Sequence, residues 1–127
     1  MSYYFSKKLK MPFDKAVQHV TDTLAGKGFG VLTTIDVRAT LKKKLDVDFR
    51  PYIILGACNP ALAHQTLQQE IDIGLLLPCN VIAYTQDGKS VVAAIDAQTM
   101  MTVVGNDELT SAAGEVSARL QRVIDNL

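Results

Sequence analysis

Hydrophobic positions recur along this chain with two different periods, and the switches between them divide it into elements. Residues 3–10 alternate and carry the aromatics Tyr3, Tyr4 and Phe5, which predicts an opening strand that ends before Met11-Pro12. Phe13, Val17, Val20 and Leu24 then fall at helical spacing while Lys15, Gln18 and Asp22 lie off that stripe, predicting an amphipathic helix. Pro12 suits a first helical turn, and Asp14 complements the positive end of the helix dipole. Gly26-Lys27-Gly28 stops the helix, because glycine accepts the left-handed conformation that a helix end often needs.

Residues 29–37 are β-branched around Val31, Thr33, Thr34 and Ile35 and predict a second strand. Val37, Leu41 and Leu45 sit four apart with Lys42, Lys43 and Lys44 between them, the pattern of a short amphipathic helix. Residues 50–58 form a third strand that is apolar on both faces, with Pro51 at its start or on an unpaired edge because proline cannot donate to a ladder. Asn59-Pro60 is an N-cap and first-turn pair, placing a helix over residues 60–69. A long fourth strand is expected over 73–85, interrupted in character at Pro78, then an Asp87-Gly88 hairpin turn. A fifth strand follows over 90–96, with an extension through 98–104. Past Gly105, Asn106 or Asp107 can cap a last helix whose stripe is Leu109, Ala113, Val116, Leu120, Val123 and Leu127.

With the two short helices set aside as insertions, the order is β-α-β-β-β-β-α. The tight hairpin requires antiparallel pairing. An α+β fold is therefore expected, with helices packed on one face of a largely antiparallel sheet. A doubly wound parallel sheet is the alternative, because helices separate most of the earlier strands.

Composition narrows the class. The chain has 127 residues, 48% hydrophobic and 20% charged, the length and balance of a single domain with one core. Thirteen basic residues offset thirteen acidic ones, so there is no basic excess to displace counterions from nucleic acid. The clusters Lys7, Lys8, Lys10 and Lys42, Lys43, Lys44 read as solvated faces. No basic-then-apolar leader opens the sequence, and no apolar run approaches the ~18–20 residues that span a bilayer. A cytoplasmic protein without nucleic-acid or membrane partners is expected, and in that compartment both cysteines stay reduced.

The densest chemistry lies over residues 56–81, where Gly56-Ala57-Cys58-Asn59-Pro60 is echoed by Pro78-Cys79-Asn80-Val81. Cys58 stands where a strand gives way to a helix, a position whose dipole lowers a thiol pKa and favours the thiolate. The same residue also reads as a small hydrophobe at a buried strand end. Cys79 has core-facing parity with Leu75, Leu77, Val81 and Ala83, and Asn80 then points the opposite way and needs polar partners. His64, on the short helix in line with Leu67 and Ile71, completes a set of ligand or redox candidates: Cys58, Asn59, His64, Cys79 and Asn80. If Cys58, His64 and Cys79 converge, they make a thiolate–imidazole pair or a soft-metal site. His19 has no companion of its kind. No phosphate loop, nucleophile elbow, HExxH or calcium loop is present, so no catalytic residue and no cofactor is assigned.

The string Leu55-Gly56-Ala57-Cys58-Asn59-Pro60, then Ala63-His64, then Gly74-Leu75-Leu76-Leu77-Pro78-Cys79-Asn80-Val81, resembles the bacterial and archaeal family catalogued as domain of unknown function 302. The resemblance covers nearly the whole chain. It implies a TATA-binding-protein-like fold, one β-α-β4-α unit with added helices, and a homodimer; it implies no activity. The aliphatic runs Ile53-Ile54-Leu55 and Leu75-Leu76-Leu77 leave room for such pairing by sheet edge or face. Two readings follow: a homodimeric small-ligand or thiol-redox module centred on the Cys-Asn elements, or a structural and protein-interaction domain in which those residues only set turns and fill space.

Overall fold

A computed structural model describes residues 2–127. The strands are β1 (Tyr4–Leu9), β2 (Gly30–Asp36), β3 (Tyr52–Cys58), β4 (Cys79–Gln86) and β5 (Lys89–Ile95). They form one sheet in the order β1-β5-β4-β3-β2, every neighbouring pair antiparallel. The helices are α1 (Phe13–Gly26), α2 (Val37–Leu45), α3 (Pro60–Gln69), α4 (Ala97–Met101) and α5 (Thr110–Asp125). The fold is α+β with the expected β-α-β4-α core, and the parallel alternative is excluded.

The α1 and α5 stripes read from the sequence face the core, whereas the α2 stripe does not: no residue of α2 is buried, and Leu45 is 65% exposed. Ala16, Val20 and Leu24 of α1 and Val116, Leu120, Val123 and Ile124 of α5 pack against Leu55, Ala57, Val81, Ala83, Val92 and Ala94 of the sheet. Because strand side chains alternate, the intervening residues face the other way. Tyr52, Ile54, Ile82, Tyr84 and Ile95 project there with Tyr4, whose side of the sheet the core helices leave open. The hairpin has Asp87 and Gly88 at φ 52° and 77°, the two positive values of a type I′ turn.

Two expected strand segments are not strands. Residues 73–85 are not one long strand: Ile71–Leu76 winds into a 3-10 turn, and β4 starts at Cys79, after the cis Leu77–Pro78 peptide. Pro78 has no N–H for the ladder, and Ile73 rather than the leucine run anchors the turn, being buried while Leu75 is 88% exposed. The extension of β5 through 98–104 is also absent, because Asp96 caps α4 by accepting a hydrogen bond from the Gln98 backbone N–H. Ser117 of α5 donates to the same carboxylate oxygen at 2.8 Å, tying α4 to α5. Lys7, assigned to a solvated face, instead donates to the Leu127 carbonyl at 2.8 Å, beyond the end of α5.

Candidate functional site

The ends of β3 and β4 meet beside the start of α3. Ala57 and Cys79 are register partners, so Cys58 and Cys79 lie diagonally across the two strands. Both line one apolar cavity of about 30 Å³, bordered also by Phe29, Leu62, Leu77, Pro78 and Val116 among others. Asn59 and Thr66 also border it, and one oxygen of each is used within the wall. Asn59 Oδ1 accepts from the Leu62 N–H at 3.1 Å, and Thr66 Oγ1 donates to the Ala63 carbonyl at 2.9 Å. The cavity is thus walled by hydrocarbon and two thiols.

Gly56 gives the corner its shape. It lies within β3, as the strand expected over 50–58 requires, and a Cβ there would meet the Thr33 hydroxyl and, at 2.6 Å, the Pro78 ring. Only a residue without a side chain lets the proline close over β3.

Of the two readings of Cys58, the activated thiol finds no support and the small hydrophobe at a strand end does. Burial raises its thiol pKa, and Cys79 is pushed up to about 11 by burial first and by the neighbouring Cys58 second. The helix start offers Cys58 few donors: Pro60 has no N–H, the Leu62 N–H bonds Asn59 Oδ1, and the Ala63 N–H bonds the Asn59 carbonyl, which leaves the Ala61 N–H of the first turn. Both thiols are held neutral.

Of the five candidates, the fold brings together three. Cys58, Asn59 and Cys79 share the cavity; His64 is exposed on α3 and does not line it. Asn80 is exposed on the open face of the sheet. No group of three or more His, Cys, Asp or Glu side chains suited to a metal ion occurs among the described residues.

On the open face, Asn80 borders a groove of about 530 Å³ with Ile82, Ala93, Ile95 and all four of the chain's tyrosines, Tyr3, Tyr4, Tyr52 and Tyr84. Tyr52 and Tyr84, opposite each other on β3 and β4, stack with ring centroids 5.4 Å apart.

A family model described as a domain of unknown function, DUF302, matches residues 5–127. The chain belongs to the DUF302 family. A solved structure similar to it is that of an uncharacterized conserved DUF302 protein from Bacillus stearothermophilus, 24% identical, covering 98% of each chain with a TM-score of 0.91. That likeness is one of fold. No curated protein matches this sequence.

The sequence left two parts of this DUF302 domain unnoticed. One is the far wall of the cavity, where Met101 and Ala113 approach from segments distant in the chain. The other is the tyrosine groove, whose signal was the matching parity of Tyr52 and Tyr84 on paired strands. Among the described residues, no helix is long and apolar enough to cross a membrane.

Proposed function

We propose that this DUF302 protein is a cytoplasmic small-ligand-binding module whose site is the cavity between the two Cys-Asn elements. The observation that supports it is the convergence of Cys58 and Cys79, from two strand ends, on one apolar cavity where the Asn59 Oδ1 and the Thr66 hydroxyl are already hydrogen-bonded. A thiolate-redox role has less support, because burial opposes ionisation of both thiols and neutral buried thiols react slowly. Both cysteines are free, which suits a reducing compartment. The balanced charge gives no support to a nucleic-acid partner. The test is a thermal-shift screen with small apolar compounds, read alongside alkylation of Cys58 and Cys79. Ligands that raise Tm and slow alkylation support the site. If no compound does either, the reading falls.

A second reading, self-association, is favoured by the open sheet face. It exposes tyrosines and isoleucines, residues enriched where surfaces are buried between chains. Five strands spaced ~4.8 Å and about six residues long give a footprint of roughly 500 Å², whose corrugated surface approaches the ~800 Å² per partner of a stable interface. On this reading two copies pair face to face. Light scattering at micromolar concentration is expected to give a dimer and Ile82→Asp a folded monomer; a monomeric parent protein overturns it.

A further inference from the structure

The thiol cavity continues beyond its own wall. Met101 and Ala113 line it and also line a second cleft, of about 420 Å³, formed with Gln98, Thr102, Asn106, Asp107 and Thr110. The two spaces are therefore adjacent, with the Met101 side chain and the small Ala113 between them. Their chemistries differ. The inner space is hydrocarbon and thiol, whereas the outer, still largely apolar in surface, adds the amides of Gln98 and Asn106, two threonine hydroxyls and the carboxylate of Asp107, with no lysine or arginine.

Met101 is suited to be the movable part of this wall. It is half-buried at the last residue of α4, a five-residue helix followed by the turn over 102–105. A thioether side chain has three rotatable bonds and repacks readily. Ala113, by contrast, is fixed in the buried stripe of α5.

We propose that the two spaces form one binding site for a short amphiphile whose head is a hydrogen-bond donor, an alkyl alcohol or amine. The head sits in the outer cleft beside Asp107 and Gln98, and the alkyl tail enters the thiol cavity past a displaced Met101. The proposal rests on the thiol cavity being a ligand site, and it adds the class of ligand and the way in. The 30 Å³ inner space by itself takes about two methylene-sized groups. A longer tail needs the volume that Met101 occupies. A carboxylate head is disfavoured, because it would face Asp107 in a cleft lined by no cationic side chain.

The experiment uses 1-alkanols from butanol to octanol, with hexylamine and hexanoate as head-group controls, on the intact protein. Affinity is read by titration calorimetry, and occupancy by protection of Cys58 from iodoacetamide. In the parent protein, alkanol affinity is expected to climb about fourfold per methylene and then level off. Met101→Ala should move the plateau to longer chains and Met101→Phe to shorter ones, with circular dichroism confirming that both variants are folded. Hexanoate should bind at least about tenfold more weakly than hexanol. Equal binding of hexanoate and hexanol, or identical plateaus in the two Met101 variants, overturns the joint site even where alkanols still protect Cys58. If no alkanol protects Cys58 in the parent or in Met101→Ala, the cavity is not a ligand site at all.

Discussion

Gly56 and Pro78 bear no charge and no reactive group, yet they determine how closely β2, β3 and the approach to β4 can sit. A methyl group at Gly56 would press on both the Thr33 hydroxyl and the Pro78 ring. Gly56→Ala is expected to cost about 1–3 kcal/mol through overpacking. Adding Thr33→Ala should recover part of that loss, since it removes one of the two obstructions; urea denaturation of the single and double variants measures it. Cys79 gives a pH signature. Its thiol ionises near 9.0 when unfolded and at about 11 in the fold, so within that interval the folded state binds more protons than the unfolded one. Its contribution is complete below pH 9 and is lost as pH rises to about 11, a fall on the order of 2–3 kcal/mol. Cys79→Ala should flatten that alkaline limb. The raised Tyr52 pKa acts with the same sign and remains in the variant.

Among the elements, α4 depends on one carboxylate. Asp96 accepts hydrogen bonds from the Gln98 N–H that starts α4 and from Ser117 on α5. Asp96→Ala should lower stability by about 1–2 kcal/mol and quicken Cys58 alkylation, because α4 carries Met101 in the cavity wall. Asp96→Asn, which keeps an accepting oxygen, should show a smaller change in both. This helix also marks where sequence and structure part. The elements read correctly, α1, α3, α5 and the Asp87-Gly88 hairpin, have local causes: a buried stripe, an Asn-Pro cap, a turn with two positive φ values. Residues 97–101 and 71–76 mix apolar and polar positions in an order that suits strand or helix equally, and distant contacts decide between them. Ser117 binds the α4 cap, and Asn106 donates to the Gln69 carbonyl and the Glu70 carboxylate just before the 3-10 turn. The candidate site was legible to the same degree. Cys58 and Asn59 adjoin in sequence, and strand parity turns Cys79 inward. The shifted start of β4 and the far wall from α4 and α5 came from tertiary packing.

At the scale of the molecule, helices over one sheet face and tyrosines over the other give two surfaces of different character. The cavity lies on the helical side at the ends of β3 and β4, and the groove lies on the open side. Expectations for the whole chain can therefore be separated: Ile82→Asp should break self-association without altering Cys58 alkylation, whereas Met101→Ala should do the reverse. Thermal unfolding of either variant should remain a single cooperative transition, as one shared core implies; two calorimetric peaks would speak for more than one domain.

The sheet order also bears on assembly in time. β1 reaches its partner only across the chain, Tyr4 opposite Ile95, while β4 and β5 meet through a two-residue turn. Closing that long loop is entropically costly and cannot be recovered until β5 is in place. β1 should thus join last, leaving the outer edge of β5 briefly unpaired beside a newly formed hairpin. During that interval the β1 of a neighbouring molecule competes for the same edge, so folding yield should fall with concentration more steeply than the stability of the finished protein suggests.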